Sequence, residues 1–259
     1  MRKFFAFSCI LAAAAVLSAW PAGDCLAEKS FEVGARGYYW DTSLDATMQT
    51  EPDPEIDLKD DLNIDDEAFF NGEVFFRWGR HHFTVAYTTV SHSGSSTDGF
   101  IFNGIPFTGT VDSDLEYDLI DGIYQYDLVK FNPVIATFNL GLLLQVKYID
   151  GFVQVAGDVP GFGITVEKES YSAPVPMVGV GAGVGIIDNA VVLEARASGL
   201  EYSGDRAIDG QGMLVFAPPF IPFLKVFGGY RILDVKVDEG GFKIDYTLDG
   251  FFGGLQLSF

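Results

Sequence analysis

Hydrophobic and polar side chains alternate at every second position along most of this chain. The clearest stretch runs from Ala136 to Tyr148, where one face reads Ala, Phe, Leu, Leu, Leu, Val, Tyr and the other Thr, Asn, Gly, Leu, Gln, Lys. A period of two predicts a β-strand, and this stretch is longer than the ~5–6 residues of an ordinary strand. A strand that crosses a bilayer needs about 9–11 residues with apolar side chains toward lipid. The length therefore favours a membrane-spanning strand.

The same alternation predicts ten strands. They cover residues 30–42, 67–78, 81–92, 112–128, 134–156, 162–186, 190–202, 208–217, 220–236 and 241–259. Bacterial single-chain barrels have an even number of strands, which ten satisfies. Two strands are less regular, because the phase slips near Asp121, which indicates a bulge or a strand end, and because Leu214 and Phe216 define the eighth strand only weakly. A barrel of eight strands is the alternative.

The connections between these strands alternate in length. Short links lie near 79–80, 130–133, 188–189 and 218–219, whereas those near 43–66, 93–111, 157–163 and 203–207 are longer or rich in Gly, Asp and Ser; the link at 237–240 is shorter. Outer-membrane barrels have short periplasmic turns and longer external loops. The pattern predicts an all-β, antiparallel, up-and-down transmembrane barrel with both termini in the periplasm.

The N-terminal segment is predicted to be a targeting signal. Two basic residues precede an apolar run from Phe4 to Trp20, and Cys25-Leu26-Ala27 places small residues before a cleavage site. Residues 1–27 are therefore expected to be removed after Sec export, together with both cysteines of the chain. Residues 28–259 contain no apolar run of about 18 residues, so no transmembrane helix is expected there. They are predicted to form a single barrel domain without disulfides or a cysteine metal site.

Composition narrows the class of protein further. The 259 residues are 48% hydrophobic and 15% aromatic, yet their net charge is -20. This much apolar side chain excludes a disordered chain. The acidic balance argues against nucleic acid, whose phosphates require a basic face. An exported, aromatic-rich chain leaves two architectures, a soluble periplasmic β-sandwich or an outer-membrane barrel, and the long strands favour the barrel.

The last residues resemble a known signal. Phe259 at the end, Leu257 two positions before it and Gly254 are similar to the C-terminal signal of outer-membrane β-barrels, which the barrel-assembly machinery reads. Phe252 departs from that signal, which prefers a polar residue there. The chain thus resembles small outer-membrane barrels of the broad OmpW/OmpX-like kind. The resemblance implies a monomer in the outer membrane of a Gram-negative bacterium, surrounded by membrane lipid and lipopolysaccharide.

Charged side chains are predicted to line the barrel interior. If the strand phases hold, Glu32 and Arg36 point inward together with seven candidate lumen residues: Glu73, Arg77, Lys147, Glu194, Arg196, Lys225 and Arg231. A buried charge must be paired or hydrated, so these side chains predict an ion-pair network. An excess of bases over acids would favour small anions in any passage. Alternate glycines from Gly179 to Gly185 either make room for Arg, Tyr or Phe side chains of facing strands or form the wall of a narrow passage.

The first long link is strongly acidic. Ten acids and one base, Lys59, lie between Ser43 and Glu67. Carboxylates at this density can bind divalent cations, although no EF-hand pattern is present, and a solvated surface loop is the plainer interpretation. Residues 43–66 are predicted to form an acidic external loop. The spacing of Leu58, Leu62 and Ile64 indicates that this loop folds back onto the barrel rim.

An enzymatic role would need a histidine near the external rim. His92 is the candidate, with Ser93 and Asp98 nearby. Adjacent residues on a strand point to opposite faces, and no Gly-x-Ser-x-Gly elbow is present. The sequence therefore predicts no enzyme, no cofactor and no metal site.

The functional hypothesis is a structural barrel or a narrow, porin-like passive channel for small solutes. One alternative is a barrel that binds divalent cations or a partner through its surface loop. The other is a barrel enzyme that acts on outer-membrane lipid or peptide near His92.

Overall fold

The computed structural model describes residues 31–97, 99, 101–102, 104–132, 136–187, 189–218, 220–221, 223–239 and 241–259. The predicted signal peptide, residues 1–27, lies outside the described residues. Every regular element in the described ranges is a β-strand. The same ranges contain no helix with the length and hydropathy needed to cross a membrane.

Thirteen strands follow one another along the described residues. They are β1 (Phe31–Thr50), β2 (Ile56–Asp57), β3 (Ala68–Trp78), β4 (His81–Ser96), β5 (Ile101–Phe102), β6 (Ile105–Pro106), β7 (Thr108–Phe131), β8 (Ala136–Val159), β9 (Gly163–Ile186), β10 (Val191–Tyr202), β11 (Asp205–Phe216), β12 (Leu224–Glu239) and β13 (Phe242–Ser258). Three of them, β2, β5 and β6, are two-residue strands within the connections.

The ten long strands close into a barrel. Each pairs antiparallel with the next in the chain, and β13 returns to pair with β1 from Gly34–Ser258 to Thr50–Phe242. The prediction of an up-and-down barrel of ten strands is confirmed, and the eight-stranded alternative is wrong. The segment that Leu214 and Phe216 define only weakly is a full barrel strand, β11.

Two details of the sequence prediction are wrong. No register shift occurs near Asp121; the shifts lie between Thr108 and Asp112 and between Asp127 and Val129, and every odd-numbered residue from Val111 to Asp127 faces inward. The acidic loop does not begin at residue 43, because β1 continues to Thr50 along β13. The extra residues of most predicted loops likewise belong to strands that extend past the bilayer-spanning length, so the links at 160–162 and 203–204 are tight.

The outer face of the barrel carries an apolar band next to the end with the chain termini, here called the turn end. On β8 the band runs over eleven residues, from Phe138 to Tyr148, and the next outward residue is Asp150. At ~3.3 Å per residue and a typical tilt of about 40°, this length spans about 25 Å. That height matches the apolar band of a transmembrane barrel. Beyond it, toward the opposite loop end, the outward side chains become acidic, as from Asp112 to Asp118 on β7.

The barrel core has two parts. Toward the turn end, the interior is filled by charged and amide side chains. Toward the loop end it is apolar, because residues 51–67, here called the plug, fold into the mouth. Leu58, Leu62 and Ile64 of the plug are buried against Trp40 and Leu44 of β1 in one hydrophobic cluster. A bridge between Ile64 and Gly94 anchors the plug to β4.

The plug is expected to open when its apolar contacts are reduced. Leu62 is 1% exposed, and truncation of such a side chain costs about 2–5 kcal/mol. Leu62→Ala should therefore raise the rate of tryptic cleavage after Lys59 at least about tenfold, because the open fraction controls cleavage. Mass spectrometry of the fragments measures this rate in the folded protein.

Glu55→Ala serves as the matched control, because Glu55 is an exposed residue of the same plug. It should leave the cleavage rate unchanged. Equal rates for the two variants would show that the apolar contacts do not hold the plug in the mouth.

Candidate functional site: the barrel interior

All seven candidate lumen side chains project into the barrel. Each makes an ion pair across the interior, and each lies on the inward face of its strand. They divide into two clusters: Glu73, Arg77, Glu194, Arg196 and Lys225 lie nearer the turn end, and Lys147 and Arg231 lie nearer the plug. The sequence pattern predicted their direction, and the structure supplies their partners.

The cluster nearer the turn end is centred on Arg36 of β1. Its Nη1 donates to Glu73 Oε1 at 3.0 Å, and its Nη2 donates to Glu194 Oε2 at 2.9 Å. Arg77 Nη2 donates to the other oxygen of Glu194 at 2.9 Å, and Arg196 Nη2 donates to Glu73 Oε2 at 3.3 Å. Two carboxylates thus hold three guanidinium groups from strands on opposite walls. Such cross-links fix the barrel's cross-section at this level.

Glu32 extends this cluster toward the chain termini. Lys225 Nζ donates to Glu32 Oε1 at 3.1 Å, and Arg77 Nη1 donates to Glu32 Oε2 at 3.4 Å. The three side chains come from β12, β1 and β3. They are part-buried, so the interior begins to meet solvent here.

The cluster nearer the plug is more deeply buried. Lys147 Nζ lies 2.7 Å from Asp121 Oδ1 and 2.9 Å from Asp209 Oδ2. Arg231 donates from Nε and Nη2 to Asp209, at 3.2 and 2.8 Å, and its guanidinium lies over the ring of Trp40. Lys147 and Arg231 are each 1% exposed. Four charges from four strands therefore close the lumen at this level.

Three interior carboxylates were not predicted from the sequence. They are Asp121, Asp127 and Asp209, all buried. The assumed slip near Asp121 assigned the wrong phase to β7, and the weak apolar stripe of β11 left its inward face undefined. With them, the acids named in the interior equal the bases. The expected excess of bases, and the preference for anions that it implied for a passage, are therefore wrong.

The alternate glycines of β9 make room for amide side chains. A Cβ at Gly181 would clash with Gln125 Oε1, and one at Gly183 would clash with Asn139 Oδ1. The glycine face therefore accommodates side chains of facing strands, as the first of the two interpretations held, but the side chains are Gln and Asn instead of Arg, Tyr or Phe.

These amides support a buried carboxylate near the turn end. Gln125 Nε2 and Asn139 Nδ2 both donate to Asp127 Oδ1, at 2.9 and 3.2 Å. The other oxygen of Asp127 lies 2.8 Å from His82 Nε2. The structure places His82 half-buried inside the barrel.

A small polar cavity lies in the interior of the described barrel. Its volume is about 80 Å³, and it is lined by side chains of both the ion-pair cluster and the His82 group, including Arg77, Arg196 and Gln125. Three apolar side chains, Ile123, Leu143 and Met213, are also part of its lining.

The candidate catalytic residues do not form a site in the described structure. His92 points inward and is 1% exposed, with its ring packed edge-on against Phe69 and its Nδ1 3.2 Å from the carbonyl oxygen of Asp65. Ser93 lies on the exposed outer face of the same strand. Asp98 lies outside the described residues. His92 therefore helps to seat the plug.

The acidic residues of the plug stay at its solvent side. Hydrogen bonds from the Lys59 ammonium, at 2.8 Å, and from the backbone N–H of Leu44 lower the pKa of the Asp66 carboxyl. Among the described residues, no three His, Cys, Asp or Glu side chains are grouped so that they could hold a metal ion.

The C-terminal residues close the barrel seam. Phe259 exchanges backbone hydrogen bonds with Val33, and Leu257 lies on the apolar band. Gly254 allows close approach to β1, because a Cβ there would clash with the carbonyl oxygen of Gly37. Phe252, the departure from the C-terminal signal, points inward and packs against Tyr38. An apolar residue at this position is thus explained by the interior of this barrel.

Comparisons with solved structures agree on the fold. The structure superposes on the outer membrane protease OmpT of Escherichia coli with a TM-score of 0.60 and 12% identity, over 91% of this chain and 99% of OmpT. Ail of Yersinia pestis matches with a TM-score of 0.31 and 11% identity, over 90% and 100%, and Neisserial surface protein A with 0.29 and 13%, over 89% and 97%. No family model and no curated protein sequence matches the chain. The fold is that of an outer-membrane β-barrel.

Proposed function

We propose that this protein is a monomeric, non-conducting barrel of a Gram-negative outer membrane, which presents a rigid external surface on a closed membrane-spanning wall. The observation that carries this proposal is the filled interior. Lys147 and Arg231 are fully paired across the lumen with Asp121 and Asp209, and the apolar plug lies beyond them. Moving a solute through would require both layers to separate, and breaking a buried ion pair alone costs several kcal/mol.

The proposed location rests on several independent features. The apolar band has the height of a bilayer core, and the C-terminal residues fit the signal of the barrel-assembly machinery. Sec export through residues 1–27 would deliver the chain to that machinery. In this orientation the turn end faces the periplasm, and the acidic strand extensions stand among lipopolysaccharide headgroups.

The external surface supports a binding role as the second candidate. Outward side chains of β7 beyond the band include Asp112, Asp114, Glu116 and Asp118, and the plug adds exposed carboxylates. Such a surface favours divalent cations or a positively charged partner. His92, the histidine considered for a catalytic role, is buried against the plug instead of lying exposed on this surface.

The closed interior predicts that the protein conducts no ions across a planar bilayer. Residues 28–259, refolded and inserted, should give no discrete conductance steps. Replacing residues 55–65 by a short Gly-Ser linker should also give no conductance steps, because the cluster of Lys147 and Arg231 still closes the lumen. Heat-modifiable migration on gels would show that each sample is a folded barrel.

Steady steps from the unmodified, folded protein would overturn the proposal and restore the passive channel. Steps that appear only after removal of the plug would place the barrier in the plug alone. In that case the ion-pair cluster would not be a seal, and the argument from the filled interior would fail.

A further inference from the structure

The polar cavity near the turn end has hydrogen-bond donors that the protein does not use. Arg196 donates only from Nη2, to Glu73 and Gln211, so its Nε and Nη1 have no acceptor among the described residues. Arg77 donates from both terminal nitrogens but not from Nε. Both guanidinium groups line the cavity.

A histidine lies beside these donors. His82 also lines the cavity, and its Nε2 is held 2.8 Å from Asp127 Oδ2. Its Nδ1 has no partner in the described residues. Asp127 is itself fixed by Gln125 and Asn139, so the imidazole ring is oriented by a rigid support. Preorganised polar groups of this kind are characteristic of ligand sites.

We propose that this cavity binds a small oxyanion, a carboxylate or phosphate, that enters from the turn end. Guanidinium groups match the geometry of both oxyanions and bind them through paired N–H donors. A cavity of about 80 Å³ holds about five water molecules, which is enough room for an anion of that size. Gly183 of β9 lines this space.

The local charge sets a modest affinity. The ion-pair cluster around the cavity contains four bases, Arg36, Arg77, Arg196 and Lys225, and three acids, Glu32, Glu73 and Glu194. The cluster itself therefore has one positive charge in excess, and Asp127 lies beside it on His82. Each of these arginines already pairs with at least one carboxylate. These carboxylates repel an anion and compete with it for the arginines. We therefore expect a dissociation constant in the millimolar range, about 4 kcal/mol of binding free energy.

Titration of the refolded chain 28–259 in micelles tests this site. Sodium phosphate, and separately sodium acetate, would be added at constant ionic strength while the arginine Nε–H signals are followed by NMR. The expected result is a saturable shift of the Arg77 and Arg196 signals. Saturation with either anion supports the proposal and shows which oxyanion the site accepts. Shifts that stay linear with both anions overturn it.

Two variants separate the site from general charge effects. Arg196→Gln should weaken binding at least about tenfold, as read from Arg77. Arg206→Gln removes the same charge from the outside of the barrel, where Arg206 pairs with Asp234, and should change nothing. Arg196→Lys keeps the positive charge and serves if Arg196→Gln fails to fold. It should also weaken binding, because lysine lacks the planar set of N–H donors of the guanidinium group. Unchanged saturable binding in the folded Arg196 variants contradicts the proposal.

Discussion

Replacing Arg231 by methionine is expected to lower the free energy of unfolding by about 3–5 kcal/mol, the usual cost of removing one partner from a buried ion pair. Arg231 holds Asp209 through two hydrogen bonds and lies 3.6 Å from Asp121. Methionine preserves much of the apolar volume. It leaves two buried carboxylates to share the single charge of Lys147, so the loss comes mainly from electrostatics.

Urea unfolding of the refolded barrel in lipid vesicles measures this change. The matched control is Arg206→Met, because Arg206 makes a similar bidentate pair with Asp234. Its side chain is 39% exposed, and exposed pairs contribute about 0–1 kcal/mol. The two variants lose the same groups and differ chiefly in burial.

A double variant shows whether the unpaired carboxylate causes the loss. Arg231→Met with Asp209→Leu removes a cation and an anion together, which leaves Lys147 paired with Asp121. Buried pairs replaced whole by apolar residues are often close to neutral, so this variant should be more stable than Arg231→Met alone. If the double variant is less stable than the single one, the cluster does not act through charge balance.

Replacing Leu142 by arginine is expected to lower the free energy of unfolding in a bilayer by about 2–4 kcal/mol. Leu142 lies near the middle of the apolar stripe of β8 and is 51% exposed on the outer face. An arginine there would stand near the centre of the hydrocarbon core, where a charge loses its hydration. The same urea titration in vesicles measures the effect.

Val166→Arg is the control for this variant. Val166 is similarly exposed, at 57%, and also lies on the outer face of a long strand, but it is in the extension of β9 beyond the band. It should change stability by less than about 0.5 kcal/mol, as most surface substitutions do. Equal effects at the two positions would mean that the apolar band is not the surface that meets lipid.

The sequence by itself determined the strands and the direction of most side chains. A β-strand repeats every two residues, so the alternation around Ala136–Tyr148 identifies the strand and its two faces without any knowledge of its neighbours. The inward direction of Arg77, Glu194 and Arg231 follows from the same local rule. Ten strands could be counted because nearly every one carries its own apolar stripe.

The same rule fails where the pattern itself is weak or interrupted. A mistaken phase over a single strand moves every residue to the other face. For this reason the inward direction of Asp121 and Asp127 was not predicted. Small and polar residues are mixed at the start of β11, so the inward direction of Asp209 was not predicted either. These three carboxylates changed the expected basic lumen into a balanced one.

Only the tertiary structure decided which interior side chains meet and what closes the barrel. Arg36 and Glu194 lie far apart in the chain and on opposite walls, and their contact depends on the closure of β13 onto β1. The plug depends on apolar contacts between residues 51–67 and the mouth of the finished barrel. A local pattern fixes the face on which a side chain lies, whereas its partner is set by the register of all ten strands together.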